Sequence, residues 1–441
     1  MFGAVYSIEY LRLFSRWWFE DDPFLYFYAA KITNPFTIFT DPQVLRHFTT
    51  GQALVPMQIL SYWIDVRLAG FSPHFAYAHQ VCSFLLTLLL LYLVLLDELR
   101  NDNIAALFIS VLWVLLPATA VVLQFLSTRH YMEGLLFTVL SLYLLQRLRY
   151  YDGRFRWLVL LAIPVSAVVA LLYKEIYLPI TPAILLLYAL RYKERALALS
   201  TIVMVCGYMA YRFWMIGPAL NYGMPYLKVP QYFAFLSKLP YTISSNYGGY
   251  CICGLVAVLC FYFARRGRQN LKTVLYFFAA LVLSLAAVAP VSYALYGTIR
   301  VPDPWHRIVF LLHTIGILGG GYFAVYCATR RVQVTLALVV VVLLVPGTEK
   351  TRRLWVKMTE SAEREGKFYL NNPDKVLLSE QVAWWFIPGV HAMYEVGKPH
   401  YVNVRDLGNY QIQPGSPVWR FQDGRFVPDY EPLKHVGQRT P

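Results

Sequence analysis

The sequence predicts an all-α polytopic membrane protein with about 10–11 transmembrane helices and a small extracytoplasmic α/β C-terminal domain. Three observations support this fold class. Hydrophobic residues make up 58% of the 441 residues, charged residues only 15%, and the mean hydropathy of +0.47 is too high for a water-soluble chain. Ten segments approach the roughly 20 apolar residues that a helix needs to cross a bilayer. The loops between these segments alternate in charge.

The apolar segments divide the chain into three parts. Their approximate bounds are 77–96, 104–125, 130–146, 157–173, 176–190, 196–216, 247–264, 272–290, 307–327 and 332–346. We therefore predict an N-terminal segment with the first outer loop over residues 1–76, a helical membrane domain over 77–346 and a small domain over 347–441.

Basic residues are concentrated in every second loop. They are Arg100; Arg147, Arg149, Arg154 and Arg156; Arg191, Lys193 and Arg195; Arg265, Arg266, Arg268 and Lys272; and Arg330 with Arg331. The positive-inside rule assigns these loops to the cytoplasm, so the net charge of +14 reflects orientation and indicates no nucleic-acid partner. The prediction is a multi-pass protein of the plasma (inner) membrane, with residues 20–75, the 217–246 loop and the C-terminal domain outside.

The N-terminal part contains apolar residues at helical spacing but no clear span. In residues 2–19, Glu9, Arg12 and Arg16 accompany aromatic residues, which favours an interfacial amphipathic helix. Either this segment is a weak first span or the natural chain starts upstream of Met1. Residues 42–68 predict short helices along the outer membrane surface.

After residue 346 the apolar runs shorten and Pro and Gly become frequent. The pattern predicts a helix over Thr348–Lys367 and strands over Lys375–Leu378 and Tyr401–Val404. Alternating apolar residues over Val418–Val427, with Asp423-Gly424 at the centre, predict a β-hairpin.

Three consecutive acids, Glu20, Asp21 and Asp22, lie between aromatic residues ahead of the first clear span. Apolar surroundings raise the proton affinity of a carboxylate, and such a group can act as a general base. The alternative is a solvated loop in which Asp22 is the N-cap of a helix that begins at Pro23. Composition alone does not separate these interpretations.

A series of short motifs resembles the N-terminal part of family C glycosyltransferases, most closely the protein O-mannosyltransferases and the membrane transferases that carry tetratricopeptide repeats. The motifs are Phe19-Glu20-Asp21-Asp22-Pro23, Asn34-Pro35, Pro56, Gly70-Phe71-Ser72-Pro73, Ser127-Thr128-Arg129 and Lys174-Glu175 before Leu178-Pro179. The likeness covers roughly residues 19–190. The chain departs from the family in its weak leading helix, in the absence of tetratricopeptide repeats and beyond residue 191.

The resemblance implies a reaction and its partners. An acid in the first outer loop, here Asp21 or Asp22 with Asp22 favoured, would be essential for sugar transfer. The donor would be a polyprenyl-phosphate sugar within the membrane lipids, and the acceptor a lipid, a glycan or a protein. Cofactor use remains open, since Glu20 with the two aspartates can serve a divalent metal as readily as a proton.

Several charged residues fall at predicted outer ends of spans and can hold a phosphate leaving group. They are Arg129, Lys174, Arg300, His306 and Arg307, and Glu175 is a further polar candidate for substrate binding. Alternatively, these cations extend to lipid headgroups or pair with Glu133, Glu175 and Asp303. His74 and His79 suggest a metal site only weakly, because no third ligand stands at a suitable spacing.

Two other classes of function fit the same composition. One is a transporter or flippase of lipid-linked glycans, which should carry charged residues near the middle of the membrane. The spans between 104 and 346 have few, and Glu133 and Arg212 lie near span ends. The other is a catalytically silent scaffold that binds a partner through its C-terminal domain.

Overall fold

The computed structural model describes residues 12–48, 53–217, 310–327, 330–372, 376–379, 386–394, 401–403, 418–422 and 425–429. These residues are mostly helical. The helices are α1 (Asp22–Lys31), α2 (Thr37–Thr40), α3 (Pro42–Phe48), α4 (Pro56–Ala69), α5 (Pro73–Glu98), α6 (Asn103–Val114), α7 (Pro117–Gln124), α8 (Arg129–Arg147), α9 (Gly153–Tyr173), α10 (Thr181–Tyr192), α11 (Arg195–Ile216), α12 (Phe310–Cys327), α13 (Arg330–Asn371) and α14 (Phe386–Tyr394). Short 3-10 turns cover Arg12–Ser15, Leu126–Thr128, Leu148–Tyr150 and Glu175–Tyr177.

Three helices in the described part of the chain are long and apolar enough to cross a membrane: α5, α9 and α11. The pair α6 and α7 meets the same criterion if it counts as one span, and an apolar stretch over Glu175–Leu190 is shorter. The predicted spans 247–264 and 272–290 lie outside the described residues, as do the 217–246 loop beyond Gly217 and the outer segment 291–306.

The predicted span 104–125 is two helices rather than one. Helices α6 and α7 meet at an angle of 61°. Pro117 opens α7, and the preceding Leu116 has an extended backbone with ψ of 132°. The ring of a proline disfavours the helical conformation in the residue before it, and the extended backbone of Leu116 produces the bend at this point. Asp102 caps the start of α6 by accepting the N–H of Ala105 at 3.0 Å.

Helix α13 joins two segments that the sequence predicts as separate. The predicted span 332–346 and the predicted helix Thr348–Lys367 form one helix of 42 residues, with Pro346 inside it. A proline within a helix removes one backbone hydrogen bond but need not end the helix when packing holds both sides. Thr348 lies two residues after Pro346, and its hydroxyl donates a hydrogen bond to the carbonyl of Leu115. The predicted boundary between residues 346 and 347 thus lies inside a continuous helix.

The N-terminal prediction of an amphipathic helix over residues 2–19 is wrong for the residues that are described. Arg12–Ser15 form a single 3-10 turn, closed by the N–H of Arg16 on the carbonyl of Leu13 at 3.1 Å, and residues 16–19 are not helical. By contrast, α3 and α4 confirm helices within residues 42–68.

The described strands form a four-stranded sheet: β1 (Val376–Ser379), β2 (Tyr401–Asn403), β3 (Val418–Gln422) and β4 (Arg425–Asp429), in the order β2-β1-β3-β4. Strand β1 is parallel to both neighbours, and β3 is antiparallel to β4, with Gln422 opposite Arg425. This pairing confirms the strands of the predicted hairpin, while its turn residues 423–424 lie outside the described residues.

Two compact units divide the chain. Unit 1 consists of Met1–Thr33, Leu60–His79 and Leu354–Pro441, and unit 2 of Asn34–Ile59 and Gln80–Arg353. In unit 2, α12 packs on α6 around Ile109, where a Cβ on Gly321 would come within 2.8 Å of the isoleucine side chain. In unit 1, α14 packs on α1.

Candidate functional site

The acidic run forms a tight turn at the start of α1 in unit 1. The N–H of Asp22 donates to the carbonyl of Phe19 at 3.0 Å, and the N–H of Phe19 donates back to Oδ2 of Asp22 at 3.0 Å. Glu20, between them, has φ of +45°. Non-glycine residues rarely adopt this left-handed conformation, and strain of this kind is concentrated at functional sites. We call residues 19–22 the acidic turn.

Asp22 does not cap a helix beginning at Pro23, as the alternative prediction had it. Helix α1 starts at Asp22 itself, with Asp21 at the N-cap position and Pro23 in the first turn. The carbonyl of Asp21 accepts the N–H of Leu25 at 3.0 Å and so closes the first helical turn. The side chain of Asp22 is directed toward the backbone N–H of Phe19, upstream of the helix. The Asp22 side chain therefore fixes the backbone of the residues that precede α1.

The three carboxylates differ in exposure. Asp22 is fully buried, Glu20 is 8% exposed, and Asp21 is partly exposed. Burial of a carboxylate is costly unless hydrogen bonds compensate it, and for Asp22 the N–H of Phe19 provides one such bond. The turn thus combines a buried carboxylate that organises the backbone with a neighbouring carboxylate that solvent reaches.

Aromatic residues from α13 and α14 surround the acidic turn within unit 1. The indole N–H of Trp18 donates to the hydroxyl of Tyr394 at 2.9 Å. Trp17 stacks on Tyr394 with ring centroids 6.5 Å apart, and Phe19 meets Trp355 edge-on at 5.3 Å. Burial raises the pKa of Tyr394 above its usual value, although its bond with Trp18 acts in the opposite direction. Aromatic residues of α13 and α14 therefore pack against the residues that lead into the acids.

Two glycines allow this close packing. A Cβ on Gly366 of α13 would collide with the ring of Trp17, and a Cβ on Gly389 of α14 would lie 3.0 Å from the backbone N of Phe24. Any larger side chain at these positions has to displace the aromatic ring or α1. The contact of α13 and α14 with the start of α1 depends on the absence of these side chains.

Unit 1 also contains an Asp–His pair that the sequence analysis did not identify. Asp65 is 1% exposed, and its Oδ1 accepts the Nδ1–H of His79 at 2.7 Å while its Oδ2 accepts the hydroxyl of Tyr26 at 2.9 Å. Asp65 and His79 stand 14 residues apart on consecutive helices, a separation that suggests nothing before those helices pack. His74 bonds instead to the carbonyl of Phe14, so the two histidines serve different partners.

The predicted cations of unit 2 are buried. Arg129, at the start of α8, has no measurable exposure, and its Nε donates to Oε1 of Gln80 at 3.3 Å. Gln80 in turn donates to the carbonyl of Val122 at 2.6 Å. Lys174 is 7% exposed, and its Nζ lies 5.4 Å from the centre of the Tyr131 ring, within the range of a cation–π contact.

Glu175 forms an ion pair with Arg212, a residue that the sequence analysis did not include in the site. Oε1 of Glu175 lies 2.7 Å from Nε of Arg212 and 3.4 Å from the backbone N–H of Leu54. Arg212 also donates to the carbonyl of Gly217 at 3.1 Å. Glu175 thus connects the 3-10 turn after α9 with the last turn of α11.

Further buried polar side chains lie in the same unit. The hydroxyl of Ser83 donates to Oε1 of Glu133 at 3.3 Å, and Gln58 donates to the carbonyl of Ser127 at 3.0 Å. Like Arg129, Glu133 and His130 lie on α8 and are buried. Buried polar and charged groups are expensive in an apolar bundle unless hydrogen bonds or opposite charges compensate them.

The structure divides the predicted site residues between two units. Glu20, Asp21 and Asp22 belong to unit 1, and Arg129, Lys174 and Glu175 to unit 2. Arg300, His306 and Arg307 lie outside the described residues. Among the residues that the structure describes, no three His, Cys, Asp or Glu side chains converge in a way that could hold a metal ion.

Comparison with known proteins gives no matching family model, no matching curated protein and no matching solved structure.

Proposed function

We propose that the protein is an integral membrane glycosyltransferase of the family C type. It would transfer a sugar from a polyprenyl-phosphate donor in the bilayer to a lipid, glycan or protein acceptor outside the cytoplasm. The observation that carries the proposal is the acidic turn, which combines the left-handed backbone of Glu20, the buried carboxylate of Asp22 and an aromatic surround. The resemblance of the sequence to that family assigns the essential acid to this same segment.

In this proposal Asp21 is the general base. A base must reach the hydroxyl or amine of the acceptor, and Asp21 is the partly exposed carboxylate of the two aspartates. Asp22, which is fully buried and bonded to the N–H of Phe19, positions the turn and hence Asp21. Burial thus reverses the preference for Asp22 that the sequence analysis expressed.

The buried cations of unit 2 suit the leaving group. As the bond from the sugar to phosphate breaks, negative charge develops on the polyprenyl phosphate, and Arg and Lys in an apolar medium stabilise such charge well. Arg129 and Lys174 are both buried. Glu175 would hold Arg212 in place through their ion pair. Arg300, His306 and Arg307 are proposed to stabilise the leaving phosphate as well.

The proposed membrane arrangement rests on α5, α9 and α11, which are long and apolar enough to cross a bilayer. The basic loops predict that the acidic turn faces outward. We place the protein in the plasma (inner) membrane as a multi-pass protein, and include residues 347–441 as a small α/β domain on the outer side.

The experiment measures sugar transfer by membranes that contain the wild type, Asp21→Asn or Asp22→Asn at matched expression. The donors are radiolabelled polyprenyl-phosphate sugars and the acceptors are extracted glycolipid and glycoprotein. Asp21→Asn should lower kcat at least 100-fold with an unchanged melting temperature, because it removes the base. Asp22→Asn should lower both activity and melting temperature, because it weakens the turn. Each assay is repeated with EDTA and with Mg²⁺ or Mn²⁺ to test for a metal.

Asp102→Asn is the matched control. Asp102 also precedes a helix and accepts a backbone N–H, but it lies at the start of α6 in unit 2. Full activity of this variant assigns the losses to the acidic turn. Wild-type activity in both Asp21→Asn and Asp22→Asn would refute the catalytic assignment. Movement of the lipid-linked sugar across the vesicle membrane without sugar transfer would support a flippase instead. If changes in the C-terminal domain abolished only the binding of a partner protein, a scaffold would be supported.

A further inference from the structure

Two ion pairs bring basic loops together at one end of unit 2. Arg149, between α8 and α9, lies 2.5 Å from Asp97 near the end of α5. Arg156, in the first turns of α9, lies 2.6 Å from Glu194, which immediately precedes α11. The ends of α5, α8 and α10 and the starts of α9 and α11 therefore lie at the same end of the unit. In the proposed orientation this end faces the cytoplasm.

Exposed residues of α9 recur at a spacing of three and four, which places them on one side of the helix. We call this set the α9 stripe, and its members are Arg154, Trp157, Leu158, Leu161 and Val165. On the opposite side of the helix, Ile163, Ala167 and Ala170 are fully buried. The α9 stripe therefore faces away from the helices that pack on α9, and in the proposed membrane arrangement it faces lipid.

The order of residues along the α9 stripe matches the order of groups in a phospholipid. Helix α9 has 21 residues and is about 32 Å long, close to the roughly 30 Å of the hydrocarbon core. Arg154, its second residue, therefore falls at the level of the headgroups, and helix side chains tilt toward the N-terminus. Trp157 is about 4.5 Å deeper, at the interfacial level that indole rings favour. Leu161 and Val165 are about 10 Å and about 16 Å beyond Arg154, at the level of the acyl chains.

The charges at this end of the unit favour an anionic headgroup. The guanidinium of Arg154 stays protonated and can bind a phosphate through two N–H groups. Exposed Arg100, Lys193 and Arg195 lie at the same end and add to the positive potential, whereas the exposed Asp152 acts against it. An anionic lipid is attracted by this potential, and a zwitterionic lipid has an ammonium group that offsets the attraction of its phosphate.

We propose that the α9 stripe is a binding site for an anionic phospholipid of the cytoplasmic leaflet. Arg154 binds the headgroup phosphate, Trp157 lies at the level of the glycerol, and Leu161 and Val165 contact an acyl chain. The site lies at the start of α9, whereas Lys174, a proposed ligand of the leaving phosphate, follows the end of this helix. The inference thus rests on the proposed membrane arrangement but not on the transfer reaction.

The experiment measures the quenching of Trp157 by lipids with brominated acyl chains, in the purified full chain reconstituted into phosphatidylcholine vesicles. Brominated phosphatidylglycerol or brominated phosphatidylcholine replaces part of the unlabelled lipid. The chain contains 11 tryptophans, so the signal of Trp157 is the difference between each protein and the same protein with Trp157→Phe. The wild type should prefer phosphatidylglycerol at Trp157 about fivefold or more, and high salt should reduce this preference.

Three variants test the role of charge. Arg154→Gln should lower the preference about fivefold with an unchanged melting temperature, because one cation at the membrane surface is lost. Asp152→Asn should raise the preference, since it removes the opposing charge, and it breaks no side-chain cap of α9. Arg353→Gln removes an exposed arginine of α13 and is the control, which should resemble the wild type.

The outcomes separate this inference from the proposed function. Equal quenching by the two lipids in the wild type, or an unchanged preference in Arg154→Gln, overturns the lipid site while sugar transfer is measured independently. Equal losses in Arg154→Gln and Arg353→Gln indicate only an effect of net charge and overturn the site as well. Failure of the wild type to insert into vesicles overturns the membrane arrangement and the lipid site together.

Discussion

The acidic turn of unit 1 and the buried cations of unit 2 are held in different ways. In the acidic turn, two hydrogen bonds join Phe19 and Asp22, which are three positions apart, and the ring of Trp355 from a distant segment packs against Phe19. In unit 2, Glu175 pairs with Arg212, 37 residues away, and Arg129 with Gln80, 49 residues away. The hydrogen bonds between Phe19 and Asp22 thus connect near neighbours in the sequence, whereas those of Arg212 and Arg129 connect distant segments.

The largest effect should come from filling the space around glycines that the packing requires. A Cβ on Gly366 in unit 1 would collide with Trp17, and one on Gly134 in unit 2 with the ring of Tyr177. Each change to alanine should destabilise its unit by about 2–3 kcal/mol, because the ring has to move. Thermal unfolding of the solubilised protein measures the effect.

Gly207→Ala is the control, because a Cβ on Gly207 would have no atom within 4 Å. In this position alanine should be neutral or slightly stabilising, as it favours the helix. Transfer activity sharpens the comparison: Gly366→Ala should impair the acidic turn and lower kcat. Equal stability of Gly366→Ala and Gly207→Ala would contradict the packing that the structure describes.

The next largest effect concerns the ion pair of unit 2. Glu175→Gln keeps an oxygen for Leu54 but removes the charge opposite Arg212, which is only 8% exposed. A largely buried cation without its counter-charge costs about 1–3 kcal/mol. Glu194→Gln breaks the more exposed pair with Arg156, at 2.6 Å, and should cost less than about 1 kcal/mol. Thermal unfolding in low and high salt compares the two, and a larger loss for Glu194→Gln would argue against the buried pair.

A smaller effect is expected at the bond between Trp18 and Tyr394. Tyr394→Phe keeps the ring stacked on Trp17 but leaves the indole N–H without this acceptor, which should cost about 1 kcal/mol. The near-ultraviolet circular dichroism of the tryptophans should change with it. Tyr92→Phe, which removes an exposed bond to Asn103, is the matched control and should leave both readings unaltered.

The smallest effect is a dependence on acid pH. Hydrogen bonds from Arg352 and then Arg353 lower the pKa of Glu349 from 4.5 to about 2. Because the pKa in the folded chain is the lower one, the stabilisation is present above pH 4.5 and is lost as the pH falls toward 2. Both arginines are partly or largely exposed, so the contribution is about 0.5 kcal/mol. The difference in melting temperature between wild type and Glu349→Gln should therefore vanish near pH 2; a constant difference would exclude this cause.

Sequence patterns predicted features that depend on neighbouring residues. The strands at 418–422 and 425–429 follow the alternation of apolar residues, and the helices at 42–48 and 56–69 follow their helical period. The continuous α13 was missed because Pro346 normally ends a helix, and the packing that retains it comes from a remote segment.

In the candidate site, too, the sequence predicted what depends on neighbouring residues and missed what depends on packing between distant segments. The acids were found because three consecutive carboxylates among aromatic residues are conspicuous in any sequence. Asp65 and Arg212 were not assigned roles, and His79 was considered only as a weak metal candidate, because the ion pairs of these residues form only when distant segments pack together. The burial that separates Asp21 from Asp22 likewise comes from packing, because the two residues are chemically identical and adjacent.

The bond between Trp18 and Tyr394 has a consequence for biosynthesis. Its two residues are separated by 376 positions in the chain. At about 5–20 residues per second, the ribosome makes Tyr394 roughly 20–75 s after Trp18. During that interval the nascent acidic turn lacks Trp355 and Tyr394 beside it, and a polypeptide released early never acquires them. Completion of the aromatic surround is therefore a late event in the maturation of the protein, set by the order of synthesis.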